Sequence, residues 1–407
     1  MVPRMTILPG YLMTGGGDHH DSALLTHVLR HAGVVAPHTG QPYGEAMLAG
    51  LGGGIGFMYA IFEFPGVTTT TIVAQHHPEP FIPAALSRAA VPYDTRTTGS
   101  PAIAERSLRT ALAAGRSAII RVDPHLLPWR PELPPGGAYE VGVAGLDGAT
   151  DDLSDTAYVD DRCTRPNAVA LGTLLAAWTA YKKGKHHLVS VTGRPDDVDL
   201  PKALRDAIAT TAAHLTGPVL GHAFDINYGL SGMRRLADQL ADDKGKQGWA
   251  ARFADPAKLF SALTRLNACL EVQLAAPGAM RPLYAAFLDE AAPLVHRRLG
   301  EAAALYRAAG SEWSAIASAA LAGRPALVRY DELARRLRAL QRSDGAMAAD
   351  ELARLAQEMG GSLDDYLADP LGEGERRALF DTLAAHAHRA LEKEEAAVFI
   401  LKDVTGE

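Results

Sequence analysis

"GGGDHHDSALLTHVLRHAG", residues 15–33, is the stretch on which the reading of the fold turns. Three glycines run into two histidines flanked by acids, and an apolar-periodic segment follows at once. Leu24, Leu25, Val28 and Leu29 recur at helical spacing, which predicts a helix over residues 22–32, closed by Gly33. Asp18 or Asp21 is the expected N-cap. The free N–H groups and positive dipole end of such a helix favour an anion or an acylated intermediate. The same field disfavours an imidazolium, so a histidine here should titrate low and act as a neutral base. The plainer reading is a capped helix end with exposed polar neighbours.

Outward from this stretch, residues 1–200 mix helices and strands. Helices are predicted over 45–51 and 102–114, the latter closed by Gly115, and strands over 117–123, 138–148 and 156–162. These make a mixed sheet with helices packed on it. Beyond about residue 200 the strand signals vanish. Helical periodicity runs through 230–241, 256–273, 281–299, 300–321 and 331–340, so residues 201–407 read as an all-α domain. The expected architecture is therefore α+β, with domains 1–200 and 201–407.

Composition narrows the function. Of 407 residues, 47% are hydrophobic, enough for a packed core, and the formal net charge of −7 argues against nucleic acid as a partner. No apolar run approaches the roughly 18 residues of a membrane span. "MVPRMTILPGYLMTGGG" lacks an apolar leader core, so a cytoplasmic location is expected. Cys163 and Cys269 make neither a disulfide framework nor a zinc ribbon. "GLGGGIGF", residues 50–57, is no P-loop, because no Lys-Ser/Thr follows; it reads as a tight turn, or as a loop whose N–H groups line a pocket through Gly53 and Gly54. "AQHHPEP", residues 74–80, pairs His76 and His77 with an acid, and a metal site with His19 and His20 is a minor alternative. "KKGKHH", residues 182–187, reads as a solvated basic patch.

Several segments together carry a family resemblance. "GGDHHDSALLTHVLRHAG" followed by "YGEAMLAGLGGGIGF" resembles the opening of the butirosin biosynthesis protein H family, which typically reads Gly-Gly-x-His-Cys, a short helix ending His-Ala-Gly, then a "GLGxGxGF" turn. "VAGLD", "AYVDDR", "KKGKHHLVSV", "GLSGMRRLADQL", "GWAARFADPAKLF" and "MRPLYAAFLDEAA" extend it to about residue 340. The resemblance implies a papain-like N-terminal domain and a helical C-terminal domain. It also implies acyl transfer from an acyl carrier protein to an amine, through a cysteine activated by a histidine and an acid. Carried over by position, the nucleophile falls on His20, the catalytic histidine on Tyr139 or Glu140, and the acid on Asp161 or its neighbour Asp160.

The replacements are all functional groups. They point to a tailoring enzyme of specialised metabolism using acid–base chemistry without a thiol, such as cyclisation or isomerisation of a polyketide- or peptide-like intermediate. The expected catalytic set is His20, Tyr139, Glu140 and Asp161, with His19, Asp21, Glu45, Gly53 and Gly54 contacting substrate. Of the two adjacent strand residues only one should face His20, and Tyr139 is the expected one. No cofactor or metal is expected. An acyl carrier protein and a second copy of the chain are candidate partners. Acyl transfer without cysteine and a catalytically dead binding protein are the rival readings.

Overall fold

The computed structural model describes residues 7–64, 67–148 and 155–406; residues 1–6, where the N-terminal segment read for a leader begins, lie outside that description. Helix α1 (His20–His31) buries Leu24, Leu25, Val28 and Leu29, the predicted face, and Gly33 follows at φ 68°. The helix begins two residues earlier than predicted because neither acid caps it. The cap is His19, whose side chain accepts a hydrogen bond from the Ser22 N–H, while Asp21 lies inside the first turn. Next come α2 (Glu45–Leu51), an antiparallel ribbon of β1 (Ile55–Phe64) and β2 (Val67–Gln75), and α3 (Phe81–Arg88).

A six-stranded sheet follows, built from β3 (Tyr93–Arg96), β4 (Ala118–Val122), β5 (Tyr139–Asp147), β6 (Thr156–Asp160), β7 (Asn167–Ala170) and β8 (Leu188–Val191). Helix α4 (Pro101–Ala113) precedes β4, and α5 (Leu171–Ala180) precedes β8. The strand order is β3-β8-β4-β5-β6-β7, and every described ladder is antiparallel. The sheet is thus not mixed as predicted. From β4 to β7 consecutive strands return on themselves, β8 inserts between β3 and β4, and none of the described pairs is parallel. Strand β6 stops at Asp160, short of the predicted end, and Arg162 beyond it takes φ 59°.

From Leu200 onward the chain is helical, with no described strand: α6 (Leu200–Thr216), α7 (Gly229–Ala241), α8 (Trp249–Arg252), α9 (Pro256–Glu271), α10 (Arg281–Ala291), α11 (Leu299–Ala322), α12 (Pro325–Ser343), α13 (Ala349–Ala368) and α14 (Glu373–Thr405). The helix predicted over 281–299 ends at Ala291, two residues before Pro293, which cannot donate to a helical ladder.

The apolar interior is arranged in two main clusters. One joins α1, α2, α3 and β1–β2 to α6, α7, α9, α10, α11 and α14. The other packs the sheet against α4, α5, α12 and α13. Both draw on residues from either side of position 200. A Cβ on Gly50 of α2, for instance, would lie 2.2 Å from the Phe287 ring of α10. A fully buried ion pair, Arg281 Nε donating to Glu394 Oε1 at 2.5 Å, links α10 to α14, and Trp313 Nε1 donates to the same oxygen.

Candidate active site

The N-terminus of α1 meets the start of β5. Leu24 sits over Gly142, where a Cβ would lie 2.9 Å from Leu Cδ1, and this close approach sets the helix end beside Tyr139 and Glu140. His20 Nε2 donates to the Glu140 carbonyl at 2.6 Å, which fixes the ring and leaves Nδ1 as the acceptor. Tyr139 Oη lies 3.3 Å from His20 Nδ1 and donates to Asp161 Oδ1 at 2.8 Å. The rings of His20 and Tyr139 are 4.3 Å apart, and His20 Nδ1 is 3.7 Å from Asp161 Oδ1. His20, Tyr139 and Asp161 therefore form one line, and the His20 side chain keeps 14% exposure.

Electrostatics assign the protons. Burial, aided by the Arg162 guanidinium, lowers His20 to about 3, so the ring is neutral at pH 7. Burial opposes ionisation of Asp161, but Arg130 more than offsets it and holds the carboxyl at about 2. Arg130 grips Asp161 with two bonds, Nε to Oδ2 at 2.7 Å and Nη2 to Oδ1 at 2.8 Å, and Trp129 Nε1 adds a third. Burial first, then the Asp161 charge against that of Arg130, drives the Tyr139 phenol well above its ordinary range.

Glu140 alternates to the other side of the strand. Its carboxylate accepts from Arg121 Nε at 2.7 Å, the cross-strand partner, and does not point at His20. Burial raises Glu140 to about 7, with Arg121 opposing and the Asp21 carboxylate adding to the rise. Burial likewise raises Asp21 to about 6. Two carboxyls on the Arg121 side of the strand thus exchange protons near neutrality.

The supporting residues divide in two. Glu45 accepts from the backbone N–H groups of Asp18 and His19, at 2.9 and 2.6 Å, and so hooks the glycine loop onto α1. Gly17, at φ 81°, lies against this hook; a Cβ would meet Ala23 Cβ at 2.4 Å. His19 is buried, with Nε2 donating to Gln75 Oε1 at 2.7 Å, and burial lowers it to about 4. His19 and Glu45 therefore position the loop and do not line its outer face. Asp160, the other candidate acid, is fully engaged: it accepts from Tyr11 Oη, His27 Nδ1 and the Arg162 N–H.

Gly53 and Gly54 do not belong to this site. Their N–H groups donate within the turn, to Gly50 and Ala49 carbonyls, and their faces press on His76, Thr211 and Tyr284. They are packing positions because a Cβ has no room there. The His76 ring packs at a tilt on His214, 4.6 Å between centroids, and among the described residues no group of three His, Cys, Asp or Glu side chains is placed to hold a metal. In the expected basic patch, His186 is internal, bonded to Thr179 and Thr98. Arg130, Trp129, Arg162 and Arg342 are site neighbours that pattern reading did not single out.

Residues 19–162 match the family model described as butirosin biosynthesis protein H, N-terminal. Residues 19–162 are thus similar to the N-terminal domain of the butirosin biosynthesis protein H family. The match runs from the capping histidine to Arg162 and so brackets His20, Tyr139, Glu140 and Asp161. Residues 176–350 match a second model, a domain of unknown function (DUF4872). No curated protein matches the chain. Among the described residues, no helix is long and apolar enough to cross a membrane.

Proposed function

We propose that this chain belongs to the butirosin biosynthesis protein H family and is a cytoplasmic tailoring enzyme of natural-product biosynthesis. It performs thiol-independent acid–base chemistry, of the cyclase or isomerase type, on a carbonyl-bearing intermediate. The observation that carries the reading is the line His20–Tyr139–Asp161 at a helix N-terminus. The layout is papain-like: a reactive group at a helix end, a second at a strand start, and an acid behind it.

In this reading His20 Nδ1, held in one tautomer by the Glu140 carbonyl, takes a proton from the carbon next to the substrate carbonyl. The imidazolium so formed lies 3.7 Å from Asp161, whose negative charge is secured by Arg130. The Tyr139 hydroxyl, one rotation away from Asp161, donates to the developing enolate. The His20 imidazolium then returns the proton to the substrate, which restores the neutral base at the end of the cycle. Cysteine acyl transfer has no support in the geometry, since Cys163 and Cys269 are both buried.

The test is substitution in the producing host, read by mass spectrometry of pathway intermediates. His20→Ala should cost at least about 100-fold in conversion, as loss of a general base does. The fold should persist, since His19 caps the helix, and circular dichroism checks it. Tyr139→Phe should cost more than Glu140→Gln. Full conversion by His20→Ala and by both strand variants refutes the proposal.

A further inference from the structure

Two guanidiniums converge beside His20 with no carboxylate in direct contact, although the charges of Asp161 and Asp21 act on Arg162 and those of Asp18 and Glu45 on Arg342. Arg162 Nη1 and Arg342 Nη2 both approach a single carbonyl, Gly17 O, at 3.5 and 3.4 Å, long contacts that leave most of their donors unused. Arg162 Nε is buried and without a partner. Among the described residues, no carboxylate lies within 4.0 Å of either guanidinium, although Asp18, Asp21 and Glu45 are in the same neighbourhood. Glu45 is occupied by the loop N–H groups.

The backbone that carries each arginine is fixed in place. Arg162 stands at φ 59°, a conformation costly for a residue with a Cβ, with its N–H bound by Asp160 and its carbonyl accepting from Gly16 N–H. The end of α12 is clamped to the same loop: Thr164 N–H donates to the Arg342 carbonyl at 2.9 Å, and Thr164 Oγ1 to the Ser343 carbonyl at 3.1 Å. Two like charges are thus brought together by backbone bonds from two distant parts of the sequence. Forked, preoriented donors of this kind match a planar or tetrahedral oxyanion.

We propose that Arg162 and Arg342 form an oxyanion-binding site at the edge of the His20 site, taking a carboxylate or phosphate borne by the substrate. It rests on the reading that His20 faces substrate, and it names an anionic substrate class for that site. Because Arg162 is one of the groups that disfavour the charged form of His20, a bound anion would return basicity to that ring. Substrate binding and activation of the base are then one event.

The test is calorimetric titration of the full chain with inorganic phosphate and, separately, with propionate, at constant ionic strength. One of the two should bind saturably, and which one tells phosphate from carboxylate. Arg342→Gln, at an exposed position, should weaken binding by at least about tenfold, with Arg342→Lys losing less. The His20 ring resonance should titrate at higher pH with the anion present. Absence of binding by both anions at about 10 mM, or equal binding by parent and Arg342→Gln, overturns the site. The outcomes separate from those of the acid–base reading: His20→Ala should bind the anion unchanged. Binding with an active His20→Ala would sink only the base assignment.

Discussion

Glu140→Gln gives a measurement that depends on the buried carboxyl alone. In the folded chain Glu140 holds its proton to about pH 7, whereas an ordinary glutamate releases it near 4.5. Between these values the folded chain binds more protons than the unfolded one, so this contribution to stability is complete below pH 4.5 and is lost as pH rises through 7. At about 1.4 kcal/mol per pH unit, that window is worth about 3 kcal/mol. Glutamine removes the titration and still offers Arg121 an acceptor oxygen. Urea denaturation of parent and variant from about pH 4 to about pH 8 should show the difference in unfolding free energy moving toward the variant by about 3 kcal/mol. His19 and His20, whose lowered values act in the opposite direction as pH falls toward 4, are present in both chains and cancel in that difference. A difference that stays level across the range refutes the buried-acid assignment.

Iodoacetamide should leave the native chain unlabelled and active, and label both cysteines once urea is added, because Cys163 and Cys269 are each 1% exposed; protection of a labelled native thiol by substrate would show a missed nucleophile. Asp160→Ala should destabilise by about 3 kcal/mol, having removed the acceptor of Tyr11, His27 and the Arg162 N–H, and hydrogen exchange at residues 11–14 should accelerate. Gly54→Ala should cost about 3 kcal/mol by overpacking against Thr211 and Tyr284 at φ 68° while leaving the His20 titration unchanged; a shifted His20 resonance would place the turn in the site after all.

Helix α1 was readable because its burial follows a simple 3.6-residue rhythm, and the helix end carried His20 with it. Tyr139 and Asp161 came through positional carry-over from the family motif, and period-two alternation then separated Tyr139 from Glu140. The ribbon β1–β2 left no such trace. "IGFMYAIFEF" is apolar almost throughout, and "TTTT" does not alternate, since the ribbon packs on helices contributed by the distant half of the chain. Strands β3, β7 and β8 are four residues each, too short for a period to register. The cap on α1 depends on Glu45 holding the glycine loop, a bond across 26 positions in sequence. Arg130, which secures Asp161, sits in a proline-rich connection with no periodicity, and Arg342 reaches Gly17 across 325 positions. Those partnerships are products of tertiary packing and have no local signature.

The Arg281–Glu394 pair sets a schedule for synthesis. Arg281 has a charge buried at 0% exposure, and its only carboxylate partner among the described residues emerges from the ribosome 113 residues later. An uncompensated guanidinium in that interior would cost several kcal/mol, of the order of 3–5 by analogy with broken buried pairs. Arg281 also donates to the Ala74 and Ala279 carbonyls, so β2 and α10 close around it together. The nascent chain therefore cannot seal the cluster that backs α1 until Glu394 has left the exit tunnel. Closure of the interior behind the His20 site thus depends on a residue made more than 230 positions after its catalytic line, every member of which lies in the first 161 positions.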